Sequence, residues 1–100
     1  MKDCCVYIIT NKYNKVLYTG ITSNISRRIQ EHKNGDFKGF AKKYNLDKLV
    51  FVESAADMYS AISREKQIKG WIRQKKVDLV NNINPEWKDL TYEYGLLISE

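Results

Sequence analysis

The segment Cys5–Thr10, CVYIIT, is apolar at almost every position and β-branched at Val6, Ile8, Ile9 and Thr10. Alternate residues of a strand point to opposite faces, so a run with no polar face has to be covered on both sides. It is therefore expected to be the central strand of a small sheet with packing on each face. Asn11–Asn14 supplies the turn and Val16–Gly20 a second strand. A register pairing Thr10 with Lys15 sets Ile9 opposite Val16 and Tyr7 opposite Tyr18, all on one face. Gly20 ends that strand where a side chain would project onto the tyrosine face.

Thr22, Ser23 and Asn24 offer an N-cap to a helix from Ile25 to about Lys33, stopped by Asn34 and Gly35. Its apolar stripe runs through Ile25 and Ile29, with His32 in the middle and Arg28 at the edge. The stretch from Asp36 to Asp47 reads as loop or one short basic helix, carrying Phe37, Phe40 and Tyr44, and LVFV centres a third strand over Lys48–Glu53. A long helix is expected from Ala56 or Asp57 to about Asp78, with Met58, Ala61, Ile62, Ile68 and Ile72 as its stripe. Asn84 caps a last short helix that begins at Pro85 and runs through Trp87, Leu90 and Tyr94. The order β-β-α-β-α-α predicts an α+β fold, a three-stranded antiparallel sheet flanked by helices, as one domain over residues 1–100.

Charge adds a functional constraint. The net charge is +5. Between Ser26 and Lys48 there are seven basic residues against three acidic ones, and between Arg64 and Lys76 six against one. Such concentration suits a polyanion, because each neutralised phosphate releases counterions. Arg27, Lys42, Lys43, Lys69 and Arg73 are the candidate contacts. No apolar run is long enough to span a bilayer and no signal-peptide pattern opens the chain, so a cytoplasmic protein without membrane attachment is expected. The adjacent Cys4 and Cys5 point to opposite faces of a strand and read as reduced thiols, not a disulfide or zinc site.

Three polar side chains fall where apolar ones belong. Glu65 lies at the centre of the long helix's stripe, and a carboxylate there needs compensation. Lys69 at i+4 provides it as an ion pair, whereas a divalent ion provides it if Glu65 is a ligand, since Mg²⁺ accepts one carboxylate with waters and phosphate oxygens. His32 reads as a hydrogen-bonded core histidine or as a catalytic group. Arg28 reads as a structural salt bridge or as an anion holder. Tyr7 and Tyr18 are ordinary strand aromatics unless nearby cations lower a phenol's pKa enough for it to act as a base.

Taken in order, these residues resemble the GIY-YIG nuclease superfamily, specifically its small stand-alone members related to the N-terminal nuclease domain of the bacterial excinuclease. The first triplet appears as Cys5, Val6, Tyr7 and the second as Tyr18, Thr19, Gly20, each keeping its tyrosine. The family's arginine, eight residues past that glycine, corresponds to Arg28, its next-turn histidine to His32, and its metal-binding glutamate to Glu65 within AISREKQIKGW. INPEWKDL closes the likeness, which spans roughly Cys5 to Tyr94. The resemblance implies hydrolysis of a DNA phosphodiester in one step. One tyrosine would activate water and the other would orient water or phosphate. Arg28 and His32 would hold the phosphate, and Glu65 would carry one Mg²⁺ or Mn²⁺. Some relatives place a lysine just after the second glycine; Ile21 stands here, with Arg27 or Lys69 as replacements for its charge. A DNA repair or processing role is expected. RNA stays open as a substrate, as does a partner protein that supplies specificity, and the alternative is a binding module with the same fold but no turnover.

Overall fold

The computed structural model describes residues 4–34 and 43–93. β1 (Cys5–Thr10), β2 (Leu17–Thr22) and β3 (Lys48–Ser54) form one antiparallel sheet in the order β2-β1-β3. Helices α1 (Ile25–Asn34), α2 (Met58–Lys69), α3 (Arg73–Ile83) and α4 (Leu90–Glu93) complete the described residues. The fold is α+β, with the antiparallel sheet and flanking helices that the order of elements predicts.

β1 is central and all six of its residues are buried. Its alternation feeds two cores. Cys4, Val6 and Ile8 join Ala61, Ile68 and Val80 from α2 and α3. Cys5, Tyr7 and Ile9 join Ile25 and Ile29 of α1, Leu46, Leu49 and Leu90. A bulge in the β1–β3 pairing, between Ile8 and Ile9, leaves Ile8 opposite Phe51 and Ile9 opposite Leu49. The extra residue lets consecutive Val50 and Phe51 both enter the α2–α3 core. Cys4 and Cys5 are both buried, one in each core.

The hairpin register differs from expectation by two residues: Tyr7 pairs with Gly20, Ile9 with Tyr18 and Thr10 with Leu17. The connecting loop is longer than four residues, because Asn11 organises it. Its Oδ1 accepts from the Lys15 N–H at 2.9 Å, its carbonyl accepts from the Asn14 N–H at 2.9 Å, and Asn14 adopts φ 58°. Lys15 is thereby held in the turn instead of pairing with Thr10. A two-residue slip preserves the face, so Tyr7 and Tyr18 remain on the same side, offset diagonally.

The expected long helix is two helices. The Gly70 N–H donates to the carbonyls of Lys66 and Gln67, the Trp71 N–H donates to Ile68, and Ile72 is extended at φ −69° and ψ 160°. That turn redirects the chain so that Trp71, Leu79 and Val80 pack on the same core as Ile68. Ile72, assigned to the apolar stripe from spacing alone, is 75% exposed instead.

The last helix also starts later than expected, at Leu90. Asn84 is buried in a turn: its Nδ2 donates to Val50 O at 3.2 Å and Lys88 O at 2.9 Å, and its Oδ1 accepts from the Lys88 N–H at 3.0 Å. It ties the chain to β3 and does not cap a helix at Pro85. The segment 35–42, with Phe37 and Phe40, and Tyr94 lie outside the described residues. Among the described residues no helix is long and apolar enough to cross a membrane.

Candidate active site

Tyr7 projects from the centre of the sheet and is 3% exposed. Directly across from it, a β-carbon on Gly20 would lie 2.6 Å from Tyr7 Oη and 2.7 Å from Cζ. The phenol therefore lies against bare backbone, which only glycine leaves open. α1 starts with Asn24, whose Oδ1 accepts from the Arg27 N–H at 3.0 Å and whose carbonyl accepts from the Arg28 N–H at 3.0 Å. Ile25 and Ile29 seat the helix on the sheet and carry His32 inward with them. The His32 ring stands edge-on to Tyr7 with centroids 6.1 Å apart and tilted to Tyr18 at 6.5 Å.

The fourth element is α2. Asp57 caps it by accepting from the Ser60 N–H at 2.7 Å, which holds the Asp57 carboxyl below its ordinary value. Ala61 and Ile68 are its buried residues, and on the flank between them the Glu65 side chain is only 17% exposed. Lys69 Nζ is 3.0 Å from Glu65 Oε2 and 5.8 Å from the centroid of the Tyr18 ring. The i+4 ion pair weighed from the sequence is thus formed, with its lysine beside the Tyr18 ring and the Glu65 charge acting on Tyr7. Arg28 reaches the same place: its charge acts on both Tyr7 and His32, and its Nε is 4.0 Å from Glu31 Oε1.

Electrostatics separate the two rings at the centre. Burial pushes the Tyr7 phenol above its ordinary range, and the opposing effect of Arg28 does not cancel it. Burial also pushes His32 down to about 4, reinforced by Arg28 and opposed by Glu31 and Asp47. At neutral pH Tyr7 keeps its proton and His32 is a neutral imidazole, able to donate from one ring nitrogen and accept at the other.

The structure thus gathers Tyr7, Tyr18, Arg28, His32, Glu65 and Lys69 from four elements. The other basic candidates are spread out. Arg27 is exposed with its Nε 3.9 Å from Glu31 Oε2, and Lys43 lies with its Nζ 5.4 Å over the Tyr44 ring. Arg73 donates from Nη2 to Asn14 O at 3.0 Å, joining α3 to the hairpin loop. Lys42 lies outside the described residues. Ile21, which stands where some relatives carry a lysine, packs against the α2–α3 core, and Lys69 is the cation that arrives beside Tyr18.

Among the described residues no group of three or more His, Cys, Asp or Glu side chains is arranged to hold a metal ion. A single, partly buried carboxylate suits a hard cation that keeps most of its ligands as water and phosphate oxygen. Glu65 fits that description, with Lys69 as the charge an arriving cation would have to displace.

Sequence spacing missed the support behind α1. Lys33, next to His32, donates from Nζ to Asp89 Oδ2 at 2.6 Å and to Asp47 O at 2.7 Å. Asp89 Oδ1 also accepts from the N–H groups of Thr91 at 3.0 Å and Leu49 at 3.3 Å. Burial works against the ionised Asp89, yet the bonds from Lys33 and Thr91 hold its carboxyl below the ordinary value. Lys33 and Asp89 are 56 positions apart. The one available signal was a charged residue at the inner end of a helix.

Comparison with known proteins gives the same assignment. Residues 3–78 match the model of the GIY-YIG catalytic domain. A UPF0213 protein of Syntrophus aciditrophicus is 39% identical over 82 residues, covering 81% of this chain and 92% of the relative. One from Haloquadratum walsbyi is 35% identical over 79 residues, covering 79% and 89%. The solution NMR structure of a UPF0213 protein from Bacillus halodurans aligns with a TM-score of 0.57 at 27% identity, over 89% of this chain and 94% of that one. With the two tyrosine triplets on paired strands and the arginine, histidine and glutamate on the helices beside them, the chain belongs to the GIY-YIG family, a family of nuclease type.

Proposed function

We propose that the protein is a divalent-metal-dependent endonuclease that hydrolyses phosphodiester bonds of DNA, working as a single catalytic domain in the cytoplasm in DNA repair or processing. The observation that carries this reading is the His32 ring set beside both Tyr7 and Tyr18, with the Glu65–Lys69 pair reaching the Tyr18 ring. Tyr18 is half-buried and within reach of solvent, so it is the tyrosine that takes the proton of the attacking water. Lys69 beside its ring has the sign that favours the phenolate, the form of Tyr18 able to take a proton. Tyr7, protonated and enclosed, donates a hydrogen bond that orients water or phosphate.

The Arg28 guanidinium supplies a fixed positive charge for a non-bridging phosphate oxygen. Neutral His32 adds a hydrogen-bond donor to the same phosphate. As the water oxygen bonds to phosphorus, the bond to the leaving oxygen breaks and the water's proton passes to the Tyr18 phenolate, which becomes the neutral phenol. Glu65 would hold Mg²⁺ or Mn²⁺, which when bound stabilises charge on the leaving oxygen.

A second reading has its own observation. The 3.0 Å Glu65–Lys69 contact is what a purely structural glutamate would make, and the chain is then a nucleic-acid-binding module that relies on a partner protein. One assay separates the two: cleavage of single-stranded, duplex and branched DNA, with RNA in parallel, in Mg²⁺ or Mn²⁺, for wild type and Glu65→Gln with folding checked by circular dichroism. The nuclease reading expects metal-dependent cutting that drops by about 10²–10³-fold in the variant while binding persists. Salt-sensitive binding by both proteins with no cutting by either would give the module reading the field.

A further inference from the structure

The β1–β2 loop and the segment leading into β3 enclose a cleft of about 310 Å³, lined by Asn11, Lys12, Tyr13, Tyr44, Asn45 and Asp47. None of these residues belongs to the constellation described above. Tyr13 is 67% exposed and Tyr44 37%, so neither ring is held in the core. Each carries a cation over its face: Lys12 Nζ is 5.1 Å from the Tyr13 centroid and Lys43 Nζ 5.4 Å from that of Tyr44. The walls are shaped by local bonding. Asn11 fastens the hairpin loop through Lys15 and Asn14, while Asn14 and Asn45 both take left-handed backbone, at φ 58° and 55°.

The chemistry of these walls suits a nucleobase. Tyrosine faces stack on any base, and asparagine amides pair donor with acceptor as base edges do. The Asp47 carboxylate accepts from exocyclic amines and would repel a phosphate, which argues against a plain backbone-binding groove. Lysines at the rim meet the phosphates on either side.

Position links the cleft to the catalytic face. Asp47 accepts at its carbonyl from Lys33 Nζ at 2.7 Å, and Lys33 is the neighbour of His32. The Asp47 charge is felt at the imidazole. On the other wall, the hairpin loop leads into β2, whose second residue is Tyr18.

We propose that this cleft is a subsite for one unpaired nucleobase next to the phosphodiester at Tyr18 and His32, so that the protein acts on single strands, flaps or frayed ends in preference to continuous duplex. Base pairing and stacking keep a base inside a duplex, whereas an unpaired base is free to enter. The proposal rests on the nuclease reading only for where the scissile phosphate lies; base binding itself does not require cutting.

The test is therefore run first without metal. Fluorescence anisotropy in EDTA compares binding of an oligothymidylate and of a short blunt duplex by wild type, Tyr13→Ala, Tyr44→Ala and the corresponding phenylalanine variants. Each alanine variant is expected to weaken single-strand binding by about 5- to 150-fold, while duplex binding changes less than about two-fold. Phenylalanine should retain the stacking. Titration of oligothymidylate into the labelled protein should shift the amide resonances of Asn11–Tyr13, Asn45 and Asp47. Equal losses on both polymers, or no loss on either, would overturn the subsite. If the tyrosines matter for single strands but wild type cuts nothing in Mg²⁺ or Mn²⁺, the subsite stands and the nuclease reading falls. If wild type cuts while the alanine variants bind like it, the subsite alone falls.

Discussion

The two faces of β1 are built to opposite specifications. Val6, Ile8, Phe51, Ala61, Ile68 and Val80 close the α2–α3 side with fully buried apolar groups. The α1 side buries a phenol and an imidazole alongside Ile9, Ile25 and Ile29, and the charges of Arg28 and Glu65 act on the phenol. Among the described residues the central strand thus divides by parity: even-numbered Val6 and Ile8 pack in the purely apolar core, and odd-numbered Tyr7 faces the proposed site. Desolvating polar groups costs stability, and the close-packed opposite face is what offsets it.

This division is most severely tested by Phe51→Ala. Phe51 is fully buried in the apolar core, so its truncation should cost about 3–5 kcal/mol in urea denaturation, a large part of the ~5–15 kcal/mol that holds a domain of this size together. A loss below about 2 kcal/mol would mean that the α1 side shares the load equally.

The next test is acid. His32 titrates near 6.5 when unfolded and at about 4 in the folded protein. As pH falls from 6.5 towards 4, the unfolded chain takes up a proton that the native imidazole refuses, and stability declines across that window by up to about 3 kcal/mol. Above pH 7 the contribution is complete. His32→Gln should flatten the decline, as read from denaturation at pH 7 and 4.5; an unchanged slope would place the acid sensitivity elsewhere. Asp89, whose carboxyl is held below its ordinary value of 3.8, adds its own loss only as pH drops further.

Gly20→Ala gives the smallest of these effects and the most local. The new methyl would meet Tyr7 Oη at 2.6 Å, forcing the ring to move at a cost of about 1–3 kcal/mol. In a Tyr7→Leu background the same change should cost little, and a double-mutant cycle measures the difference. Equal costs in both backgrounds would show that the glycine serves the strand and not the tyrosine.

How much of this was legible in the sequence depended on range. CVYIIT announced the central strand because its covering requirement is local, and the helical wheel put His32 and Glu65 on buried faces because 3.6-residue periodicity is local too. The hairpin register was misread, since Asn11's side chain and the left-handed Asn14 set the loop length and neither leaves a trace in hydropathy. The apolar stripe ran on through Ile72 and concealed the break at Gly70, although glycine there was the available warning. The turn around Asn84 depends on Val50 O, and the support of α1 on Lys33 meeting Asp89; no spacing rule reaches across those separations. The roles proposed for the site residues rest on the order of motifs along the chain, and the structure adds the spacing of Tyr7, Tyr18, His32 and Lys69.

The Lys33–Asp89 tether also bears on the order in which the molecule is assembled. Asp89 lies beyond residues 3–78, the part that matches the family domain, and it arrives 56 positions after its lysine. In a chain made from its N-terminus, both tyrosines, the arginine, the histidine and the glutamate leave the ribosome before the group that locks α1 in place. Loop-closure entropy keeps that lock open until the final turn docks. A nascent chain therefore carries the residues proposed for the site before it carries the contact that anchors α1.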